Sequence, residues 1–336
     1  MANCNKLFID FGKIITPSLA QMQKMKTSRE ALEKKISEKI KEKLGVDVSY
    51  LTQGSAAHKM KTIIIKENGT YDVDRGVYLP GKPNVSADAV QKYVFDAVSD
   101  HTSDGAEHRK KCIRVFYKGA YNIDFPVYYE VEDESYSYIA IKGNGWIKDD
   151  PSKMIEWFLD FKDEDGQLLR IVKYLKAWAS KASCKMPSGI ALTVWAARNF
   201  SPISDRDDEC LLQLLKQLES VILVSPSCIS PVEPFDDFTS KLSESQKEEF
   251  SSRLTAFSKD AQNAINEENQ LTASKIWKRY LGDRFPEGVD ENIDKRANAL
   301  FSSAASILSN SAHLDKHGFI NEKEGVKHQN HRNYAG

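Results

Sequence analysis

The stretch GTYDVDRGVYL, Gly69 to Leu79, sets Asp72 and Asp74 two positions apart inside an aromatic, β-branched run. Residues i and i+2 of a strand share one face, so both carboxylates stand on the same side. Like charges that close are costly unless something positive lies between them. Taken alone, the pattern also fits a solvated sheet face or a turn. Its neighbours decide.

Upstream, VDVSYLTQGSAAHKMKTIIIKENG (Val46 to Gly69) reads as a short strand, a turn at Gly54-Ser55, a polar stretch and an apolar β-like run closed by Asn68-Gly69. Before it, TSREALEKKISEKIKEKLG (Thr27 to Gly45) predicts a long helix. Thr27 and Glu30 form a capping box, Leu32, Ile36, Ile40 and Leu44 make one apolar stripe, and Gly45 stops it. Downstream, PGKPN (Pro80 to Asn84) breaks the Asp-bearing strand, and Ser86 caps a helix carrying Val90, Val94 and Val98. CIRVFYKGAYNIDFPVYYEV (Cys112 to Val131) then gives two β-rich runs parted at Lys118-Gly119. In the second run Asn122, Asp124 and Pro126 alternate with Ile123, Phe125 and Val127, so Asp124 sits mid-strand behind an apolar face. Acids are rarely placed there without a partner.

Near residue 150 the pattern changes. DGQLLRIVKYLKAWASKA, PSGIALTVWAARNF and DDECLLQLLKQLESVIL are helical, a Ser/Pro segment spans Ser225 to Phe238, and two more helices follow at about 243–268 and 271–281. The expectation is an α+β chain: a mixed β-sheet lobe over 1–150, an all-helical lobe over 151–312 that completes a cleft, and a polar tail over 313–336.

With 47 Lys plus Arg against 48 Asp plus Glu, the net charge is -1, and no global field calls for a nucleic-acid partner. The local clusters HRKKCIR and EKKISEKIKEKLG read first as solvated faces, with local basic patches as the alternative. Cys4, Cys112, Cys184, Cys210 and Cys228 are scattered singly, which argues against a disulfide framework or a structural zinc. No run approaches the roughly 18 apolar residues of a membrane helix, and the expected location is the cytoplasm.

If the strands bearing Asp72, Asp74 and Asp124 are neighbours, three carboxylates converge, and divalent cations relieve the repulsion. An oxygen-only donor set suits Mg²⁺ or Mn²⁺, and a pair of such ions can activate a hydroxyl and clamp phosphate oxygens. Gly54 lets backbone approach a phosphate closely, with the Ser55 hydroxyl beside it.

The ordered set QGSAAHKMKT, YDVDRGVYL, CIRVFYKGAYNIDFPVYY, GQLLRIVKYLKAW and PSGIALTVWAA, with SPVEPFDDFT and ASKIWKRYLGDRFP further on, resembles the bacterial cGAS/DncV-like nucleotidyltransferases. These are cyclic oligonucleotide synthases of the CBASS anti-phage systems, within the polymerase β-like superfamily. The resemblance runs from about residue 20 to residue 286. It implies a two-lobed fold with a long spine helix, and two Mg²⁺ ions on Asp72, Asp74 and Asp124. It further implies that Gln53, Gly54 and Ser55 form the phosphate loop, that Lys173 reaches the donor triphosphate and that Ser188 lies beside the donor base. Arg75 departs from relatives that often carry an acid there, which would alter charge beside the cleft. The implied reaction is template-independent joining of ATP, GTP or other ribonucleoside triphosphates into a cyclic di- or oligonucleotide with release of pyrophosphate, 3′,3′-cyclic GMP-AMP being the first candidate. A cyclic-nucleotide-responsive effector would act downstream, and a ubiquitin-like conjugation enzyme would act on Gly336. The alternative is nucleotidyl transfer to an RNA or protein acceptor.

Overall fold

The computed structural model describes residues 1–132, 134, 136–309, 311–314, 320–321 and 325–327. The chain begins with α1 (Asn5–Ile14) and the long spine helix α2 (Leu19–Leu44). α2 starts eight residues before Thr27 because Ser18 and Gln21 form the capping box, and Gly45 ends it in the left-handed region. Thr27 lies inside the helix, its hydroxyl donating to the Gln23 carbonyl.

β1 (Ser49–Gln53), a 3₁₀ turn over Gly54–Ala56 and β2 (Tyr71–Leu79) follow. The TIIIK run between them is not a strand: its isoleucines divide between packing surfaces, and Ile65 N–H donates to the Ile15 carbonyl. After α3 (Ala87–Val98), capped by Ser86, come β3 (Ala106–His108), β4 (Ile113–Tyr117), β5 (Tyr121–Phe125), β6 (Val127–Glu130), β7 (Ser137–Ile141) and β8 (Gly145–Lys148). Pro126, which has no N–H to give a ladder, divides β5 from β6. The sheet order is β3-β4-β5-β2-β6-β7-β8, with β1 paired to β2, and the two central pairings, β2 with β5 and β2 with β6, are parallel.

One face of the sheet packs Tyr71, Val73, Val77 and Leu79 against α2 and α3. The other face carries Asp72, Asp74 and Tyr78 toward the helical lobe. That lobe comprises α4 (Pro151–Leu159), α5 (Gln167–Lys181), α6 (Gly189–Asn199), α7 (Asp207–Val224), α8 (Glu244–Asn266), α9 (Gln270–Leu281) and α10 (Glu291–Leu308). Its core takes in Phe8, Phe11 and Ile15, with Phe8 edge-on to Tyr174, Trp277 and Phe285. Packing therefore places α1 with the helices, although it lies at the other end of the sequence. Aromatic rings buried on that scale dominate core energetics and outweigh chain order. Short pairings of 313–314 with 320–321 and 326–327 follow α10, and Gly336 lies outside the described residues. Among the described residues no helix is long and apolar enough to cross a membrane.

Candidate functional site

The parallel register of β2 and β5 sets Asp72 opposite Asn122 and Asp74 opposite Asp124. β4 runs antiparallel on the far side and brings Arg114 opposite Asp124. Three carboxylates thus share the cleft face of two adjacent strands. Each has a different environment. Asp124, 6% exposed, receives a two-pronged bond from Arg114, Nε to Oδ1 at 2.7 Å and Nη2 to Oδ2 at 2.5 Å. Asp72 pairs with Lys66 and accepts from Asn122 Nδ2 at 2.8 Å, with Arg114 Nη2 3.7 Å away. Burial works to raise its pKa, yet Lys66, Asn122 and Arg114 together hold it below the usual carboxylate range.

Among the described residues no donor hydrogen-bonds the carboxylate of Asp74. Burial, and then the charges of Asp124 and Asp72, push its pKa up to about 7. Gly54 closes over it: φ is +58°, and a Cβ there would stand 2.7 Å from Asp74 Oδ2. Only glycine meets both demands. The Ser55 carbonyl accepts from Thr62 N–H at 3.0 Å, which ties the turn to the segment behind it.

The cleft between the lobes has a volume of about 810 Å³. Gln53, Gly54, Ser55, the three aspartates and Ser188 all line it, so the structure brings together seven of the eight residues singled out from the sequence. Lys173 is the eighth, and it is not on the wall: its Nζ donates to Thr16 Oγ1 at 2.9 Å. Lys176, one turn further along α5, is on the wall. Its Nζ donates to the Thr62 hydroxyl at 3.0 Å and the Thr62 carbonyl at 3.2 Å. Burial pushes its pKa down to about 7 against the opposing pull of Asp74. Sequence reading passed over Lys176 because positions 173 and 176 are both boundary positions of an amphipathic helix; the rotation of α5 separates them. Gly189 leaves room for its stem, since a Cβ there would touch Lys176 Cε at 3.4 Å. Ser188 Oγ accepts from Ala191 N–H at 3.3 Å and caps α6. Arg75 is not beside the cleft. It turns to the opposite sheet face, where Nε donates to Glu33 at 2.7 Å and Nη1 to Thr52 at 2.9 Å, fastening α2 to β1 and β2.

The donors themselves test whether a divalent cation suits the site. Among the described residues no three acidic, His or Cys side chains are gathered closely enough to hold an ion as they stand. Arg114 and Lys66 explain this, because they occupy Asp124 and Asp72. The donor set still fits in kind: it is oxygen-only, and Asp74 has neither a hydrogen-bond donor nor an easily held charge.

Adjacent strands thus bring Asp-x-Asp and a third acid to one interlobe cleft, with the Gly54-Ser55 turn closed over Asp74. The family model for the cyclic GMP-AMP synthase DncV-like nucleotidyltransferase domain matches residues 48–128. Vibrio cholerae DncV, apo and GTP-bound, superposes with a TM-score of 0.72 at 16% identity, over 85% of this chain and 96% of DncV. Residues 48–128 thus match a DncV-like nucleotidyltransferase domain, and the chain shares the fold of DncV. A cyclic GMP-AMP synthase of Escherichia albertii is 26% identical over 211 residues, 56% of this chain and 46% of that protein. A cyclic AMP-AMP-AMP synthase of an Acinetobacter species is 23% identical over 172 residues, 48% of this chain and 50% of that protein. The chain spans about half the length of these curated relatives.

Proposed function

We propose that this chain joins ribonucleoside triphosphates without a template into a cyclic oligonucleotide, releasing pyrophosphate at each step. The observation that carries the reading is the register pairing Asp74 with Asp124 on adjacent parallel strands, with Gly54 closed over Asp74 in the interlobe cleft. The DncV-like domain and the names of the relatives support it.

Asp72, Asp74 and Asp124 would hold Mg²⁺ or Mn²⁺. When bound there, such ions supply countercharge to the phosphates and lower the cost of deprotonating the attacking hydroxyl. The chain's own residues do the rest. Gly54 brings backbone close enough to receive a phosphate, and the Ser55 hydroxyl adds a donor. The Lys176 ammonium has three protons and two acceptors on Thr62, so one N–H is left to aim at phosphate oxygens. Arg114, held by Asp124 and near Asp72, adds positive charge to the wall that would receive phosphate oxygens. Together these groups align the reactants and place charge in advance, which is where phosphoryl-transfer enzymes gain most.

Two relatives carry two different product names, cyclic GMP-AMP and cyclic AMP-AMP-AMP. Cyclic GMP-AMP is the product proposed first. Incubation with all four ribonucleotides and Mg²⁺, phosphatase treatment and mass spectrometry test this directly. A phosphatase-resistant 3′,3′-cyclic GMP-AMP is the expected result; a trinucleotide ring would replace the product and keep the class. Incorporation only into added RNA or protein would overturn the reading in favour of acceptor modification.

A further inference from the structure

A second polar cluster lies behind the phosphate turn, and the transfer chemistry makes no use of it. Gln53 is 4% exposed, its Nε2 donates to Tyr78 OH at 2.5 Å, and its Oε1 lies 3.3 Å from Tyr128 OH. The same Tyr128 hydroxyl lies 3.2 Å from Asp149 Oδ2. The rings of Tyr78 and Tyr128 stack with centroids 4.8 Å apart and planes 11° from parallel. Gly76 makes the space: a Cβ there would stand 2.6 Å from the Tyr78 ring and run into the Gln53 amide. The chain of groups therefore runs from Asp149, on the cleft wall beside Asp150 and Met154, to Gln53, which pairs across the ladder with Asp74 and precedes Gly54.

Tyr128 has one proton for two acceptors. Burial holds its phenol protonated well above the ordinary range, so it remains a donor. A carboxylate is a stronger acceptor than an amide oxygen, so Asp149, whose carboxylate has no other donor among the described residues, draws the proton. Gln53 then keeps only its bond to Tyr78. A ligand N–H placed on Asp149 spreads the carboxylate's charge over a second donor and weakens its hold on the Tyr128 proton, which shifts toward Gln53 Oε1 and fixes the amide at both ends.

We propose that Tyr128 is a positioning residue that couples occupancy of the Asp149 wall, by a group with N–H donors such as a nucleobase amine, to the setting of the Gly54-Ser55 turn through Gln53. The inference rests on the nucleotide-joining reading above. The two fail separately: a wild-type protein that joins no nucleotides overturns that reading, whereas variants kinetically identical to an active wild type overturn only the coupling.

Steady-state kinetics and thermal melts of Tyr128→Phe, Asp149→Asn and the double variant are the test. Tyr128→Phe keeps the ring stack, so its melting temperature should stay close to that of the wild type. The triphosphate KM should rise about three- to tenfold, the worth of one net hydrogen bond, with kcat within about twofold. Because both side chains act through one path, the double variant should be no worse than the poorer single variant. A lowered melting temperature with unchanged KM, or fully additive KM effects, would show separate structural roles and sink the proposal. Should Tyr128→Phe fail to fold, Asp149→Asn decides alone: a KM equal to wild type refutes it.

Discussion

Two aspartates, Asp207 in the helical lobe and Asp74 in the sheet lobe, show how one residue type serves opposite ends. Asp207 is 0% exposed and saturated. It takes Arg170 Nε at 2.7 Å and Nη2 at 2.9 Å, Tyr174 OH at 2.9 Å and Gln167 Nε2 at 2.9 Å. Those partners lie along α5, so one carboxylate at the start of α7 fastens the two helices together. Asp74 faces two like charges instead and has no donor among the described residues. A satisfied buried acid holds the fold together; an unsatisfied one is strained until a ligand completes it.

Breaking the unsatisfied site should have the largest effect. Replacing Asp72 and Asp74 together by Asn should reduce nucleotide incorporation to background while the protein stays folded, because relief of repulsion at Asp74 offsets the loss of Asp72's charge beside Lys66 and Asn122. Turnover by the double variant at near wild-type rate would reject the assignment.

Asp207→Ala should show the reverse profile. Leaving the Arg170 guanidinium without its partner should cost about 3–5 kcal/mol of stability, read by denaturant unfolding, whereas the Km and kcat of the remaining folded fraction should change little. If Lys176 then loses its place on the cleft wall, the kinetic constants will move as well and the two regions are coupled.

The two lysines of α5 sharpen the contrast. Lys176→Met should raise the triphosphate KM about tenfold, as expected for one charge-assisted hydrogen bond. Lys173→Met, whose ammonium is engaged by Thr16, should change KM less. The reverse ranking, measured by the same steady-state assay, would return the phosphate-binding role to Lys173.

The smallest effect is on pH. Asp74 has a folded pKa of about 7, above its ordinary carboxylate value, so the metal-free fold binds a proton there that the unfolded chain has released. The stability from this proton is complete at acid pH and is lost as pH rises through about 7. A divalent cation must displace the same proton, so Mg²⁺ affinity should increase from pH 6 to pH 8. Isothermal titration would check it, and Asp74→Asn should flatten the dependence.

Much of the candidate site could be read along the chain. Gly54, Ser55, Asp72, Asp74 and Asp124 gain their weight from their order: a glycine turn, an Asp-x-Asp strand and a third mid-strand acid, each a local pattern that alone decides little. The apolar stripe of α2 and the Ser86 cap were plain. The start of α2 was not, since Thr27 and Ser18 both head acceptable capping patterns, and burial of Met25 with the bond from Tyr71 OH to the Gln21 carbonyl goes with the earlier one.

What the sequence by itself determined was which chemistry this protein carries: three acids, a glycine turn and the strands and helices that bear them. Tertiary structure alone decided which neighbours those groups meet. The parallel β2–β5 register pairs Asp74 with Asp124, the packing of α5 in its lobe turns Lys176 rather than Lys173 toward the cleft, and the two sheet faces send Arg75 to Glu33 and away from the aspartates. The reason is physical: periodicity fixes the face on which a side chain lies, whereas its partner is set by long-range packing, which couples residues that no local pattern links.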